Sequence, residues 1–241
     1  MIANWKANPD SLKVAIKNIS LISKMPSPGV LKIICAPFVF VSLVKQRSLI
    51  MGAQDVSIFP EGAHTGEVTA KMISSVGVKY VILGHSERRK MGEDREMIKE
   101  KIARALSVGL APVVCIGEKE RDSDGEFFGL LREELHALFK GVPKKNLSKI
   151  VIAYEPIWAI STENKGAIDP HVLRETLVFI RKIMHDIVGN KEALKIKIIY
   201  GGSVDYKNAK EIIKEGGAEG FLVGKASQTP ALFEKLLKSI R

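Results

Sequence analysis

Only two cysteines occur in 241 residues, Cys35 and Cys115, each in apolar surroundings and without the paired spacing of a metal site. They read as two buried thiols in a reducing cytosol rather than as a disulfide. No run approaches the roughly 18–20 uncharged apolar residues that span a bilayer. The first residues, Met1-Ile2-Ala3-Asn4-Trp5-Lys6, lack the basic region and apolar core of a secretory signal. A cytoplasmic protein without membrane contact is therefore expected, and the glycosylation sequons at Asn18 and Asn146 carry no meaning. Aromatic residues are scarce at 6%, which leaves few platforms for stacking bases. Acids are in deficit, 27 against 37 lysines and arginines, for a formal charge of +10. The surplus is not gathered into a tail. It reads as a solvated basic surface rather than a nucleic-acid-binding one, with small anionic substrates still open as partners. A Pro/Gly/Ser linker, a low-complexity tract and an internal repeat are absent too.

What the sequence does have is an average globular composition, 46% hydrophobic and 27% charged, which excludes a disordered or fibrous chain. Strand-like runs occur at Leu31–Ala36, Leu49–Ala53, Tyr80–Leu83, Ala111–Cys115, Ile150–Tyr154, Ile196–Tyr200 and Gly220–Val223. Most are continuously apolar, as parallel strands covered on both faces must be. Helical patterns lie between them at Ser11–Lys24, Glu93–Ser107, Glu126–Phe139, Pro170–Ile187, Tyr206–Glu215 and Pro230–Ile240. With Met1–Trp5 counted as a truncated first strand, eight β units alternate with helices. That predicts an α/β chain, a single eight-stranded parallel (β/α)8 barrel over residues 1–241 with a shortened first strand.

Polar and glycine-rich signals follow the strands: Lys6, Gln54, Gly84-His85-Ser86, Gly117-Glu118, Glu155-Pro156, Gly201-Gly202-Ser203 and Gly224-Lys225. In a barrel these positions share the C-terminal rim, where active sites are built. Glu155, partly desolvated at a strand end, suits a general base, though alone it reads equally as a carboxylate paired with a neighbouring cation. His85 lies where a helical turn would begin, and a helix N-terminus disfavours the protonated ring; a lone histidine there also serves as a structural cap. Lys6 offers positive charge to an anion or a developing oxyanion, or is simply solvated. Gly201-Gly202-Ser203 and Gly224-Lys225-Ala226 present backbone N–H groups suited to phosphate. Gly224-Lys225 is not a Walker loop, since Glu219 stands where its first glycine belongs and Ala226 where Ser or Thr is required. A carboxylate base, a histidine donor, a lysine and two phosphate-type loops together describe enolisation of a phosphorylated carbonyl compound.

In order along the chain, Asn4-Trp5-Lys6-Ala7-Asn8, Gly52-Ala53-Gln54, Thr65-Gly66-Glu67, His85-Ser86-Glu87-Arg88-Arg89, Cys115-Ile116-Gly117-Glu118, Ala153-Tyr154-Glu155-Pro156-Ile157-Trp158-Ala159-Ile160 and Tyr200-Gly201-Gly202-Ser203-Val204 resemble the signatures of the triosephosphate isomerase family. The resemblance covers essentially the whole chain and implies a TIM barrel without metal or cofactor. It implies interconversion of dihydroxyacetone phosphate and glyceraldehyde 3-phosphate in glycolysis and gluconeogenesis. That family is itself the standard example of a glutamate base beside a neutral histidine, so those roles are carried over to Glu155 and His85. By the same resemblance Lys6 neutralises phosphate and oxyanion charge and Asn4 orients the same oxygens. Phosphate sits near Ser161, Ser203, Gly224 and Lys225, and residues from Pro156 to about Pro170 form a lid. Glu118 bonds the Trp158 indole while the lid is open, and Thr65 reaches a second subunit near its Asn4 and Glu87, making a homodimer that pairs further into tetramers in one variant of this reading. Three departures stand out: the short first strand, a lid about two residues longer with Ser161-Thr162-Glu163-Asn164-Lys165-Gly166, and Lys225 in place of the phosphate loop's second glycine. A positive φ at Lys225 would cost roughly 1–2 kcal/mol. Competing readings are a catalytically weakened homologue, another sugar-phosphate isomerase, an aldolase, which needs a Schiff-base lysine or metal ligands on the rim, and a non-enzymatic basic binding protein.

Overall fold

Eight short strands form one parallel sheet that curls around until its ends meet: β1 (Ile2–Asn4), β2 (Ile33–Cys35), β3 (Ile50–Ala53), β4 (Tyr80–Leu83), β5 (Ala111–Ile116), β6 (Val151–Tyr154), β7 (Lys197–Tyr200) and β8 (Leu222–Val223). The computed structural model describes residues 1–44, 48–122, 124–159 and 168–240. Each strand pairs with its sequence neighbour, β1 also pairs with β8, and the ring closes at an isolated parallel bridge between Tyr200 and Phe221. A βα alternation allows this, because each crossover helix returns the chain to the same end of the sheet. The expected barrel is the observed one. The three-residue β1 is held on both sides, Ile2 opposite Ile33 and Leu222, so the short start leaves no gap in the ring.

Side chains alternate between two apolar cores. One face of the strands supplies Ile2, Ile33, Cys35, Ile82, Val113, Cys115, Ala153, Ile199 and Leu222 to a packed lumen. The other face, with Ala3, Ile34, Val81, Leu83, Val114, Ile152 and Ile198, packs against the helices. Both faces being dry explains the uninterrupted apolar runs. Cys35 and Cys115 are buried and free, as the sequence suggested.

The long helices follow the hydrophobic stripes. Glu126–Phe139 buries Phe127, Leu131, Leu135, Leu138 and Phe139. Pro170–Val188 begins where Asp169 accepts hydrogen bonds from the His171 and Val172 N–H groups and ends at Gly189, with φ of 88°. Two helices start later than periodicity alone predicts. Asp94 caps Arg95–Ser107 by accepting from Met97 N–H at 2.8 Å. Asp205 folds its own backbone into a turn, accepting from Lys207 N–H at 2.7 Å, and delays the next helix to Ala209–Lys214. Single-turn helices at Phe38–Val41, Lys144–Leu147 and Asn190–Ala193 are too short to leave a 3.6-residue pattern.

Candidate active site

The ends of β1, β4 and β6 bring three of the expected groups into one contiguous chain of contacts. His85 follows β4 and caps the turn Ser86–Lys90. Its Nδ1 accepts from the Glu87 N–H at 3.2 Å. A backbone N–H can only donate, so Nδ1 carries no proton and the proton of the neutral ring sits on Nε2. Nε2 faces Glu155 Oε1 at 3.5 Å. Glu87 in turn holds Lys6, its Oε1 2.5 Å from Nζ. Glu155, His85, Glu87 and Lys6 thus form a line across the barrel mouth, with Glu155 and His85 nearly closed off from solvent.

Glu155 is buried after β6, and its Oε2 has no hydrogen-bond partner among the described residues. Burial pushes its carboxyl above the ordinary carboxylate range, offset in part by His85, the Ser86 N–H, the Cys115 thiol and the Lys6 ammonium. Desolvation that raises a carboxyl towards neutrality is what a general base working near pH 7 requires. Two glycines make room for it. A Cβ on Gly201 would lie 2.7 Å from Glu155 Cγ, and one on Gly117 would lie 1.9 Å from the Glu155 carbonyl oxygen. The glycine-rich β7 loop therefore abuts the Glu155 side chain directly.

Lys6 adopts φ of 52°, the sole positive φ at a described non-glycine residue. Such a backbone is strained for a lysine. The turn is braced on both flanks: Asn4 Oδ1 accepts from the Lys6 N–H at 3.1 Å, and Gln54 Nε2 donates to the Lys6 carbonyl and to the Cys35 carbonyl, each at 2.9 Å. Asn4, expected to orient substrate oxygens, is buried and also shapes this turn. On the far side, a Cβ on Gly224 would lie 3.4 Å from Lys6 Cε, so the β8 loop meets the ammonium as the β7 loop meets the carboxylate.

Lys225 opens the short helix Lys225–Gln228 and is exposed; its φ is not positive, so the backbone penalty considered from sequence does not arise. Ser203 lies on the β7 loop, its N–H donating to the Ala159 carbonyl at 3.3 Å. Ser161 and the altered lid residues 161–166 lie outside the described residues. The Trp158 indole donates to Glu118 at 2.8 Å, as expected. Tyr154 donates to the same carboxylate at 2.8 Å; burial, then the Glu118 charge, raises its phenol well above the usual value, so it keeps the proton it donates.

Of the charged run Glu87, Arg88 and Arg89, Glu87 is the one that contacts His85 and Lys6. Arg88 pairs with Asp55 at 2.6 Å. Arg89 ties the ends of β4 and β5 together by donating to the Gly84 and Cys115 carbonyls and to Glu134. Sequence reasoning treated Glu87 as part of that run and as a contact of a second subunit. Its place two residues after a capping histidine was the available signal for its role toward His85. The strain at Lys6 and the close approach of Gly117 had no such signal.

Other chemistries find little here. Burial, and then the Glu155 charge, raises the Cys115 thiol, which leaves it a poor nucleophile. The two buried lysines among the described residues are committed elsewhere. Lys32 donates to the carbonyls of Ile22, Ser23 and Met25 at the end of the helix Leu12–Lys24, and Lys101 is held between Asp55 and Glu93. Neither is a free amine for a Schiff base.

The profile of the triosephosphate isomerase family matches residues 1–240. This chain belongs to that family. It is 34% identical over 242 residues to the triosephosphate isomerase of Herminiimonas arsenicoxydans, covering 98% of this chain and 96% of that one. It is 37% identical over 234 residues to that of Coprinopsis cinerea, covering 94% and 92%. The corresponding figures for Dehalococcoides mccartyi are 38% over 239 residues, 93% and 89%. As a triosephosphate isomerase family member the chain has the fold, the ordered motifs and the converging side chains together. The weakened homologue and other sugar-phosphate isomerase considered from sequence are not favoured.

Proposed function

We propose that this chain interconverts dihydroxyacetone phosphate and D-glyceraldehyde 3-phosphate through an enediolate, with its whole length serving as one catalytic domain. The observation that carries the proposal is the pairing of a desolvated Glu155 with an Nε2-protonated His85 at 3.5 Å, one contact away from Lys6. Glu155 takes a proton from C1 of the ketone while His85 Nε2–H donates to the carbonyl oxygen, and the electron pair of the broken C–H bond becomes the enediolate double bond. The carbonyl π pair moves onto O2; His85 then carries the hydroxyl proton from O1 to O2, and returning the carbon-bound proton to C2 as C1=O forms completes the aldehyde. Lys6 offsets the negative charge of oxyanion and phosphate, a fixed charge in a water-poor site being worth more than one in solution. Asn4 orients the same oxygens. The phosphate rests on the loops carrying Ser161, Ser203, Gly224 and Lys225, where Lys225 adds a positive charge. No cofactor or metal takes part. A coupled assay of the purified protein, reading NADH oxidation as dihydroxyacetone phosphate forms, tests this. Turnover that falls by about 10²-fold or more in Glu155→Gln supports it, and absence of turnover in the parent protein overturns it.

The active form on this reading is a homodimer in the cytoplasm. What supports the dimer is apolar surface on the loops after β2, β3 and β4: Val39 is 76% and Met91 78% exposed, with Phe38 and Phe59 also exposed. Thr65 lies on the same β3 loop, beside the stacked Phe59 and His64 rings. Sedimentation should give twice the chain mass, and Thr65→Arg with Met91→Glu should give monomers of much reduced turnover. A parent protein that sediments as an active monomer would refute the dimer and leave the chemistry standing. Free, buried Cys35 and Cys115 agree with a reducing compartment.

A further inference from the structure

Outside the line of Glu155, His85, Glu87 and Lys6, a buried carboxylate and a largely buried guanidinium face one another. The Glu118 side chain is fully enclosed. It supports the turn that carries Glu155 in three ways: its carboxylate accepts from the Trp158 indole and from the Tyr154 hydroxyl, and its backbone carbonyl accepts from the Ile157 N–H at 2.9 Å. Both side-chain donors are neutral. A carboxylate so enclosed is unfavourable unless a counter-charge accompanies it.

Arg121 is the sole cation within ion-pair distance among the described residues, its Nε 3.8 Å from Glu118 Oε1. Its guanidinium lies 4.1 Å from the Phe127 ring centroid and 5.7 Å from that of Trp158, and one nitrogen donates to Thr176 Oγ1 at 2.6 Å. Its Nε and Nη1 are buried without a hydrogen-bond partner among the described residues. A side chain placed for its hydrogen bonds alone would not leave two donors unused. Charge and stacking are what this placement keeps. Trp158 precedes and Thr176 follows residues 160–167, so Arg121 also grips the chain on both sides of that segment.

We propose that Arg121 is a positioning residue for the isomerisation: as counter-ion to Glu118 it fixes Trp158 and Tyr154, and through them the turn after β6 that aims Glu155. This rests on Glu155 being the base, so Glu155→Gln is measured alongside; a Glu155→Gln loss below about tenfold would sink that assignment rather than this one. Arg121→Met removes the charge at similar length and should lower kcat about tenfold, less than the roughly 10²-fold that a 1 Å displacement of a reacting group costs, with KM little changed. Adding Glu118→Gln should restore most of the loss, because an amide accepts the same two hydrogen bonds and needs no counter-charge. Arg121→Lys should retain most of the turnover.

The spectroscopic readout is fluorine NMR of protein labelled with 5-fluorotryptophan, which gives one resonance each for Trp5 and Trp158, the two tryptophans of the chain. The Trp158 signal should move in Arg121→Met and return in the double variant, while the Trp5 signal stays fixed and reports an intact fold. Parent-like turnover in Arg121→Met, or a double variant no better than Arg121→Met, overturns the proposal. If Arg121→Met does not fold, the comparison passes to the lysine and double variants. A double variant that folds and turns over then supports a charge role, and a lysine variant that folds but has lost its turnover refutes it.

Discussion

Glu155→Gln should lower kcat by about 10²–10⁴, the range a positioned general base contributes, and at the same time should make the protein harder to melt. The first effect follows from removing the one group placed to carry a proton between adjacent carbons. An amide cannot do this, and His85, whose Nδ1 is already engaged by the Glu87 N–H, has no free basic nitrogen facing the substrate. A loss below about tenfold would reassign the base, since such a loss falls short of what general-base removal produces.

The second effect follows from burial. Glu155 is held in a dry site with Oε2 unpartnered among the described residues, and its carboxyl is raised for that reason first. Near the ordinary glutamate value of about 4.3 and below, the folded and unfolded chains both carry the proton, and the variant gains nothing. As pH rises the unfolded chain ionises first. The parent loses stability from there up through the raised folded value, then carries a constant deficit. Glutamine has no such deficit. The difference in Tm between Glu155→Gln and parent should therefore be small near pH 4 and positive at pH 8. Other carboxylates titrate alike in both proteins and cancel. An equal Tm at pH 8 would mean that the carboxylate is better solvated than its burial indicates.

Which residues converge on the rim was legible in the sequence, and the shape that holds them there was not. Glu155, His85 and Lys6 stand directly after apolar strands, and alternation of eight β units puts all strand ends on one rim. The barrel then brings them together without any further assumption. The continuous apolar runs of β4, β5 and β6 likewise announce strands dry on both faces. The left-handed backbone at Lys6 was invisible, because lysine has no preference for it; it exists because Asn4 and Gln54 hold the turn from either side. Gln54 stood out as a polar residue on the rim, yet its two acceptors, the Lys6 and Cys35 carbonyls, are contacts across strands that spacing cannot show. Late helix starts at Arg95 and Ala209 have the same origin: aspartate side chains competing locally for backbone N–H groups, where hydrophobic periodicity is silent.

Gly117→Ala should be the most damaging added methyl among the described glycines, a loss of about 10²-fold in kcat together with a lower Tm, since displacing a reacting group by about 1 Å is worth that much. Gly117 has no positive φ, so alanine meets no strain from its own backbone. The obstruction is steric. The added Cβ would sit 1.9 Å from the Glu155 carbonyl oxygen, 2.5 Å from its carbonyl carbon and 3.2 Å from the Pro156 nitrogen. All three are backbone atoms and cannot rotate aside. The chain on either side is also pinned, by the Glu155 N–H on the Ile116 carbonyl at 2.7 Å and the Ile157 N–H on the Glu118 carbonyl at 2.9 Å. Relief requires β5 and β6 to part at their C-terminal ends, which moves the base relative to His85. Overpacking of this kind costs about 1–3 kcal/mol, occasionally more, which in a protein of this size lowers Tm by about 2–4 °C per kcal/mol. Gly129→Ala is the matched control: in the helix Glu126–Phe139 a Cβ there meets nothing within 4 Å, and alanine is the better helix former. It should leave kcat unchanged and Tm equal or higher. If Gly117→Ala melts and turns over like Gly129→Ala, β5 and β6 do not approach as closely as described, and the account of how Glu155 is aimed must be withdrawn.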